Sequence, residues 1–185
     1  MNRIKYGILG ILIRYPVLIL SALFNLEIFY IVFTPLTIYP VYYLLKFFFD
    51  TVLIGNVILV SQNIPIEMIK SCIAGSAYYL LLILNLSIPN IKIGKRIWMI
   101  FLSFLSFLVL NIIRVIMLVM IFMYNFAAFD VTHKLFWYAL STIFVVGIWF
   151  AEVKIFRINE IPVYSDMKFL LSLKKIKKSK RSKKH

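Results

Sequence analysis

The chain has 185 residues, 63% of them apolar, with a mean hydropathy of +0.95 and a formal charge of +14. Several near-uncharged stretches approach the roughly 20 residues that cross about 30 Å of hydrocarbon, which excludes a sizeable soluble domain and predicts a multi-pass integral membrane protein. About half of the Lys and Arg residues follow Ala151, so the charge belongs to the tail and not to a basic fold.

In chain order, Met1 to Arg14 carries Arg3, Lys5 and Arg14 with no acid and no small-residue cleavage site, and reads as a retained first anchor. Pro16 to Thr34 is the first strong apolar run. Pro35 and Pro40 bracket a turn-like stretch, after which Val41 to Phe49 continues as an apolar helix closed by Asp50. From Thr51 to Ile69, β-branched pieces split by Gly55-Asn56 and Ser61-Gln62-Asn63 predict a short strand-like hairpin, with Pro65 confined to an edge. Ile69 to Ser87, Ile97 to Phe122 and Lys134 to Ala151 follow as three membrane helices. Pro89 to Arg96 forms a basic loop and Met123 to Asp130 a turn.

The fold expected is therefore an all-α multi-pass helical bundle of four or five transmembrane helices, with the hairpin before the third-last helix. Residues 1–152 form the membrane domain and 153–185 a basic tail. Lys92, Lys95 and Arg96 in one loop, with Lys154, Arg157 and the Lys174 to Lys184 run in the tail, orient these parts to the cytoplasm. The hairpin and the Met123 to Lys134 turn then face outward. With both N-terminal runs spanning, parity puts the basic N-terminus outside, so four crossings with an interfacial second stretch and five crossings both stand. The tail carries no interleaved aromatics in its Lys-rich run and reads as a binder of anionic lipid headgroups, not of nucleic acid.

The residues able to do chemistry gather at the outer level. From Trp98 near the inner boundary to Arg114 is about 24 Å of helical rise, which brings the guanidinium close to the outer edge of the hydrocarbon. Cys72 begins the preceding helix there and His133 begins the following one. An intramembrane arginine costs roughly 2.5–3.5 kcal/mol at mid-membrane and less where it snorkels. A headgroup anchor is thus the plain reading of Arg114, but Asn111 on the same helical face argues for an interior site. A lone thiol is ordinarily a small hydrophobe. Cys72, however, lies near a helix N-terminus, which favours thiolate, and Gly75 and Ser76 leave room for another backbone or a substrate.

Together these side chains fit acyl transfer. Cys72 attacks a peptide carbonyl, His133 moves the proton from thiol to leaving amine, and Arg114 stabilises the oxyanion or the thiolate. Asp130, three residues before His133, is set aside as a loop carboxylate. One cysteine excludes an intramolecular disulfide and, with His133 and His185, builds no zinc cage, so neither a metal nor a cofactor is expected.

Ser71-Cys72-Ile-Ala-Gly75-Ser-Ala-Tyr-Tyr79 opening an apolar helix, Asn111-Ile-Ile-Arg114 near the outer end of the next, and Thr132-His133 before the last resemble the exosortase and archaeosortase superfamily. The Phe33 to Pro40 stretch and the Ala74 to Leu86 run are most similar to its small archaeal pacearchaeosortase type. The resemblance covers about Phe33 to Ala151. It implies a membrane-embedded cysteine protease and transpeptidase acting on exported proteins that end in a short motif, a transmembrane helix and a basic segment. Cleavage would be extracytoplasmic, with the product joined to a membrane lipid. By matching positions, Cys72 is the nucleophile, Arg114 the family arginine and His133 its third residue. Many members read Cys-Ser-Gly, whereas Ile73 and Ala74 separate Cys72 from Gly75 here, which leaves Gly75 or Ser76 as oxyanion-hole substitutes. The competing class is a non-catalytic multi-pass protein, a transporter subunit or scaffold, for which polar groups would line a midplane cavity.

Overall fold

The computed structural model describes residues 16, 18–20, 22, 26–61, 64–88, 91–124, 126–135 and 141–158, with backbone only at 126–128, 130 and 131. The described elements run α1 (Glu27–Phe48), β1 (Thr51–Ile54), β2 (Val57–Val60), β3 (Ile64–Glu67), α2 (Lys70–Ile73), α3 (Gly75–Leu86), α4 (Ile93–Tyr124), α5 (Phe126–Leu135) and α6 (Ser141–Ile155). The fold is mostly helical. Of the described helices, α1 and α4 are long and apolar enough to cross a membrane.

Helix α4 shows which solvent its sequence was built for. Ile97, Trp98, Phe101, Leu105, Val109, Ile113 and Met117 are exposed, most of them one turn apart, while Ser103, Asn111 and Arg114 are buried. Apolar side chains face out and polar ones face in, the reverse of a helix on a water-soluble protein and the pattern expected of a lipid-facing one.

Helix α1 corrects the first expectation. Pro35 and Pro40 lie inside one continuous helix and do not bracket a turn. A proline costs a helix in water about 3 kcal/mol or more. Inside a packed apolar bundle the freed carbonyls are served by neighbours and local adjustment, so the helix continues. The two N-terminal apolar runs therefore share one helix from Glu27 onward.

The strands exceed the predicted hairpin. They form a three-stranded antiparallel meander in the order β1-β2-β3, with Ile54 opposite Val57 and Val60 opposite Ile64. Gly55 holds the first position of the two-residue β1–β2 loop at φ 60°, which a side chain would strain. Pro65 sits in β3, an edge strand, as its missing N–H requires.

Two apolar cores follow. The inner one joins Phe33 of α1, Tyr78 and Leu81 of α3, Phe107 of α4 and Val145 of α6. Its aromatic centre stacks Phe33 on Tyr78 at 3.6 Å, with Phe104 and Phe107 edge-on. The outer core joins Ile38, Val41 and Leu45 of α1 to Ile58 and Val60 of β2 and Val115 and Val119 of α4. The sheet is thus pinned to the C-terminal halves of α1 and α4.

The chain between Met123 and Leu135 also differs from expectation. The predicted turn is helical, as α5, and His133 lies in the last turn of α5 instead of opening the final helix. The final helix begins at Ser141, and the residues of the tail beyond 158 lie outside those described.

Candidate active site

The site is built on a break in a helix. Ile69 to Ser87 is predicted as one helix, but Ala74 adopts φ 57°, ψ 44°, and splits it into α2 and α3. A left-handed conformation costs a non-glycine residue roughly 1–2 kcal/mol. The break takes the Ser71 and Cys72 carbonyls out of the helical ladder, and buried carbonyls need new donors. Helix α4 supplies them. Asn111 Nδ2 donates to the Cys72 carbonyl at 2.9 Å, and Arg114 Nη2 to the Ser71 carbonyl at 3.1 Å. The three-residue spacing of Asn111 and Arg114 puts both on the α4 face that meets the break.

Arg114 reaches further. Its Nη1 donates to Ser141 Oγ at 3.0 Å, so one guanidinium ties α2, α4 and α6 together. The side chain is 2% exposed and its Nε has no partner. Among the described residues no carboxylate pairs with it. Among the described residues, the group near enough to feel its charge as a potential anion is the Cys72 thiol. A buried guanidinium cannot shed its proton, so its charge must be met by dipoles or by an anion that arrives later.

Cys72 is half-buried and packs against the outer apolar core beneath the sheet, while Ile73 and Ala74 belong to the inner core. Beside it, a cavity of about 370 Å³ opens between α1, the broken helix and α6, walled by Tyr30, Lys70, Ser71, Ser76, Ser141 and Thr142 among others. Cys72 is not in that wall; its neighbour Ser71 is. Lys70 at the mouth pairs with Glu27 and lies over the Tyr30 ring, 4.9 Å from its centroid.

No protein-family model, curated protein or solved structure matches this chain.

The structure brings Cys72, Asn111 and Arg114 together and places Ser76 at the cavity. Gly75 is a close-approach position: a Cβ there would stand 2.8 Å from Cζ of Tyr30, so the absent side chain admits the α1 tyrosine ring. His133 stands apart. Its ring stacks on Phe129 at 5.4 Å, and among the described residues no hydrogen bond or charge interaction links it to Cys72 or Arg114. The Asp130 side chain lies outside the described residues.

Ser141 and the Ser71 carbonyl escaped the sequence reading. Ser141 is one hydroxyl within an apolar run, and only its position at the start of α6 marks it. Glu152 escaped too, although an acid inside such a run is a strong mark. The predicted helix stopped at Ala151, one residue short of it.

Proposed function

We propose that this protein is a membrane-embedded thiol protease and transpeptidase that cuts the C-terminal sorting segments of exported proteins on the extracytoplasmic side. The observation that carries the reading is a fully buried arginine with no carboxylate partner among the described residues, set against the chain's single cysteine. The likeness of the Cys72, Asn111-x-x-Arg114 and His133 set to exosortases and archaeosortases supports it.

In this scheme α1, the broken α2–α3 helix, α4 and α6 cross the bilayer, with the sheet outside and the Lys92 to Arg96 loop and tail inside. Helix α4, at 32 residues or about 48 Å, outruns a 30 Å core and carries its outer turns to the sheet. The substrate's signal helix lies alongside the bundle, and the peptide beyond it enters the cavity at Ser71 and Ser141. The Cys72 sulfur attacks the scissile carbonyl, forming a C–S bond and an oxyanion. The C–N bond then breaks, and the thiol proton passes through His133 to the leaving amine. His133 comes within reach once substrate is bound, since catalytic contacts tighten in the complex. The thioester left on Cys72 is resolved by water or by an amine on a lipid acceptor. Arg114 favours the thiolate and the oxyanion electrostatically in a water-poor site. Asn111 and the Ala74 break hold the nucleophile's backbone, and no metal or cofactor takes part.

A second reading, a non-catalytic multi-pass protein, draws on the buried Asn85, Ser103 and Glu152 in the inner half of the bundle. Co-expression with an exported protein bearing a C-terminal motif, signal helix and basic end separates the two. Cys72→Ala, Arg114→Ala and His133→Ala should each leave the precursor uncut at normal protein levels. Unchanged processing in the Cys72→Ala strain refutes the enzyme.

A further inference from the structure

A second polar cluster lies deeper in the same three helices, away from the thiol. Asn85 of α3, Ser103 of α4 and Glu152 of α6 are 0%, 0% and 2% exposed. Asn85 Nδ2 lies 2.8 Å from Ser103 Oγ, 3.2 Å from Glu152 Oε2 and 3.1 Å from the Leu81 carbonyl. Ser103 Oγ lies 2.7 Å from the Met99 carbonyl and 2.8 Å from Glu152 Oε1.

These contacts outnumber the protons available if Glu152 is ionised. The amide brings two and the hydroxyl one, three protons for five contacts of hydrogen-bond length. Ser103 can donate to Met99 or to Glu152, and whichever it leaves becomes a bare oxygen pair at 2.7–2.8 Å. A carboxyl proton makes four, which serves both oxygen pairs of Ser103 and leaves only its contact with Asn85 Nδ2 without a proton.

Among the described residues no cation offsets a carboxylate here. From α4, Lys95 Nζ donates to the Phe156 carbonyl at 2.7 Å, and Arg96 to the Leu86 and Ile88 carbonyls at 2.8 and 2.7 Å. On α6 itself Lys154 is exposed. The titratable groups of α3 are Tyr78, stacked on Phe33, and Tyr79, which donates to the Leu18 carbonyl. Among the described residues Glu152 has no ion pair.

We propose that the Asn85–Ser103–Glu152 cluster is a buried proton-binding site, with Glu152 carried as the neutral acid at physiological pH. The carboxyl O–H donates to Ser103 Oγ, the Ser103 hydroxyl then donates to Met99, and the amide serves Glu152 Oε2 and Leu81. That proton locks α3, α4 and α6 at their inner ends. Stripping it leaves a bare carboxylate in an apolar interior, which is far costlier than taking up a proton. The site stands whatever reaction the outer residues perform.

The test is infrared spectroscopy of the full-length protein in a maltoside detergent, which has no carbonyl of its own, with thermal unfolding of the same samples. At pH 7 the wild type should show a protonated carboxylic-acid C=O band that Glu152→Gln lacks. Glu152→Gln, which keeps a neutral group of the same shape, should melt within about 2 °C of wild type, and Glu152→Ala about 5 °C or more below it. Raising the pH should abolish the wild-type band and lower its melting midpoint together, a readout that needs no variant to fold. A wild type with no acid band at pH 7, or a band that persists in Glu152→Gln, overturns the proposal. So does stabilisation by sodium chloride over choline chloride in the absence of the band.

Discussion

Two polar layers cross the same three helical segments, and they solve the problem of a buried charge in opposite ways. The outer layer joins the Ser71 carbonyl, Arg114 and Ser141, and the inner layer joins Asn85, Ser103 and Glu152. Ser103 to Arg114 on α4 and Ser141 to Glu152 on α6 are equal intervals, each about 16.5 Å of helical rise. Among the described residues, one layer buries a cation without a carboxylate, and the other a carboxylate without a cation. A glutamate can take up a proton and become a neutral hydrogen-bonding group, so its layer closes on itself. An arginine has no such exit. Its charge stays, held by a carbonyl and a hydroxyl, and it remains a standing attraction for any anion formed beside it. Neutralised, the inner layer keeps only Asn85 Oδ1 without a partner, whereas the outer layer keeps a full charge and an unpartnered Arg114 Nε.

The contrast can be broken at either end. The largest effect is expected from Arg114→Met, which should cut substrate processing by about 10²–10³-fold, read as accumulation of uncleaved precursor. Arg114→Lys keeps the charge but loses the planar fork across Ser71 and Ser141, and should fall between Arg114→Met and wild type. Next, Asn85→Leu should cost about 2 kcal/mol of stability by leaving Glu152 Oε2 short of a donor, measured by thermal unfolding, with processing by the folded protein near wild type. An equal loss of processing would tie the inner layer to the chemistry and erase the division. Ser141→Ala removes one hydrogen bond to a charged group and should cost about 1.5 kcal/mol, with a partial loss of processing. The smallest effect is a gain. Ala74→Gly relieves the left-handed backbone and should stabilise by up to about 1 kcal/mol, read by thermal unfolding.

Much of this was legible in the residues, and the failures share a cause. The buried face of α4 could be read because Asn111 and Arg114 are polar exceptions in an apolar run, and such exceptions face inward. The strands could be placed because β-branched pieces and Gly55 mark them, although the third strand needs the pairing of Ile58 with Ile66 to be seen. Pro35 and Pro40 misled because the rule that prolines end helices assumes water on the outside. The break at Ala74 left no mark, since alanine is the best helix former and only the partners of Ser71 and Cys72 justify its conformation. Gly75 was legible as a close-approach position, but what approaches is Tyr30 from a helix forty-odd residues away. His133 was given its position by a helix boundary that fell elsewhere, and its stacking on Phe129 follows from α5, which was read as a turn.

The most direct measurement is mass spectrometry of the full-length protein, purified with a substrate in which the lipid acceptor is withheld and the reaction quenched in acid. The thiol reading predicts a covalent adduct on Cys72 equal in mass to the substrate's N-terminal fragment less one water, removed by hydroxylamine and absent from Cys72→Ala. Substrate cleaved at the same rate with Cys72 unmodified throughout, or cleaved by Cys72→Ala, would contradict it.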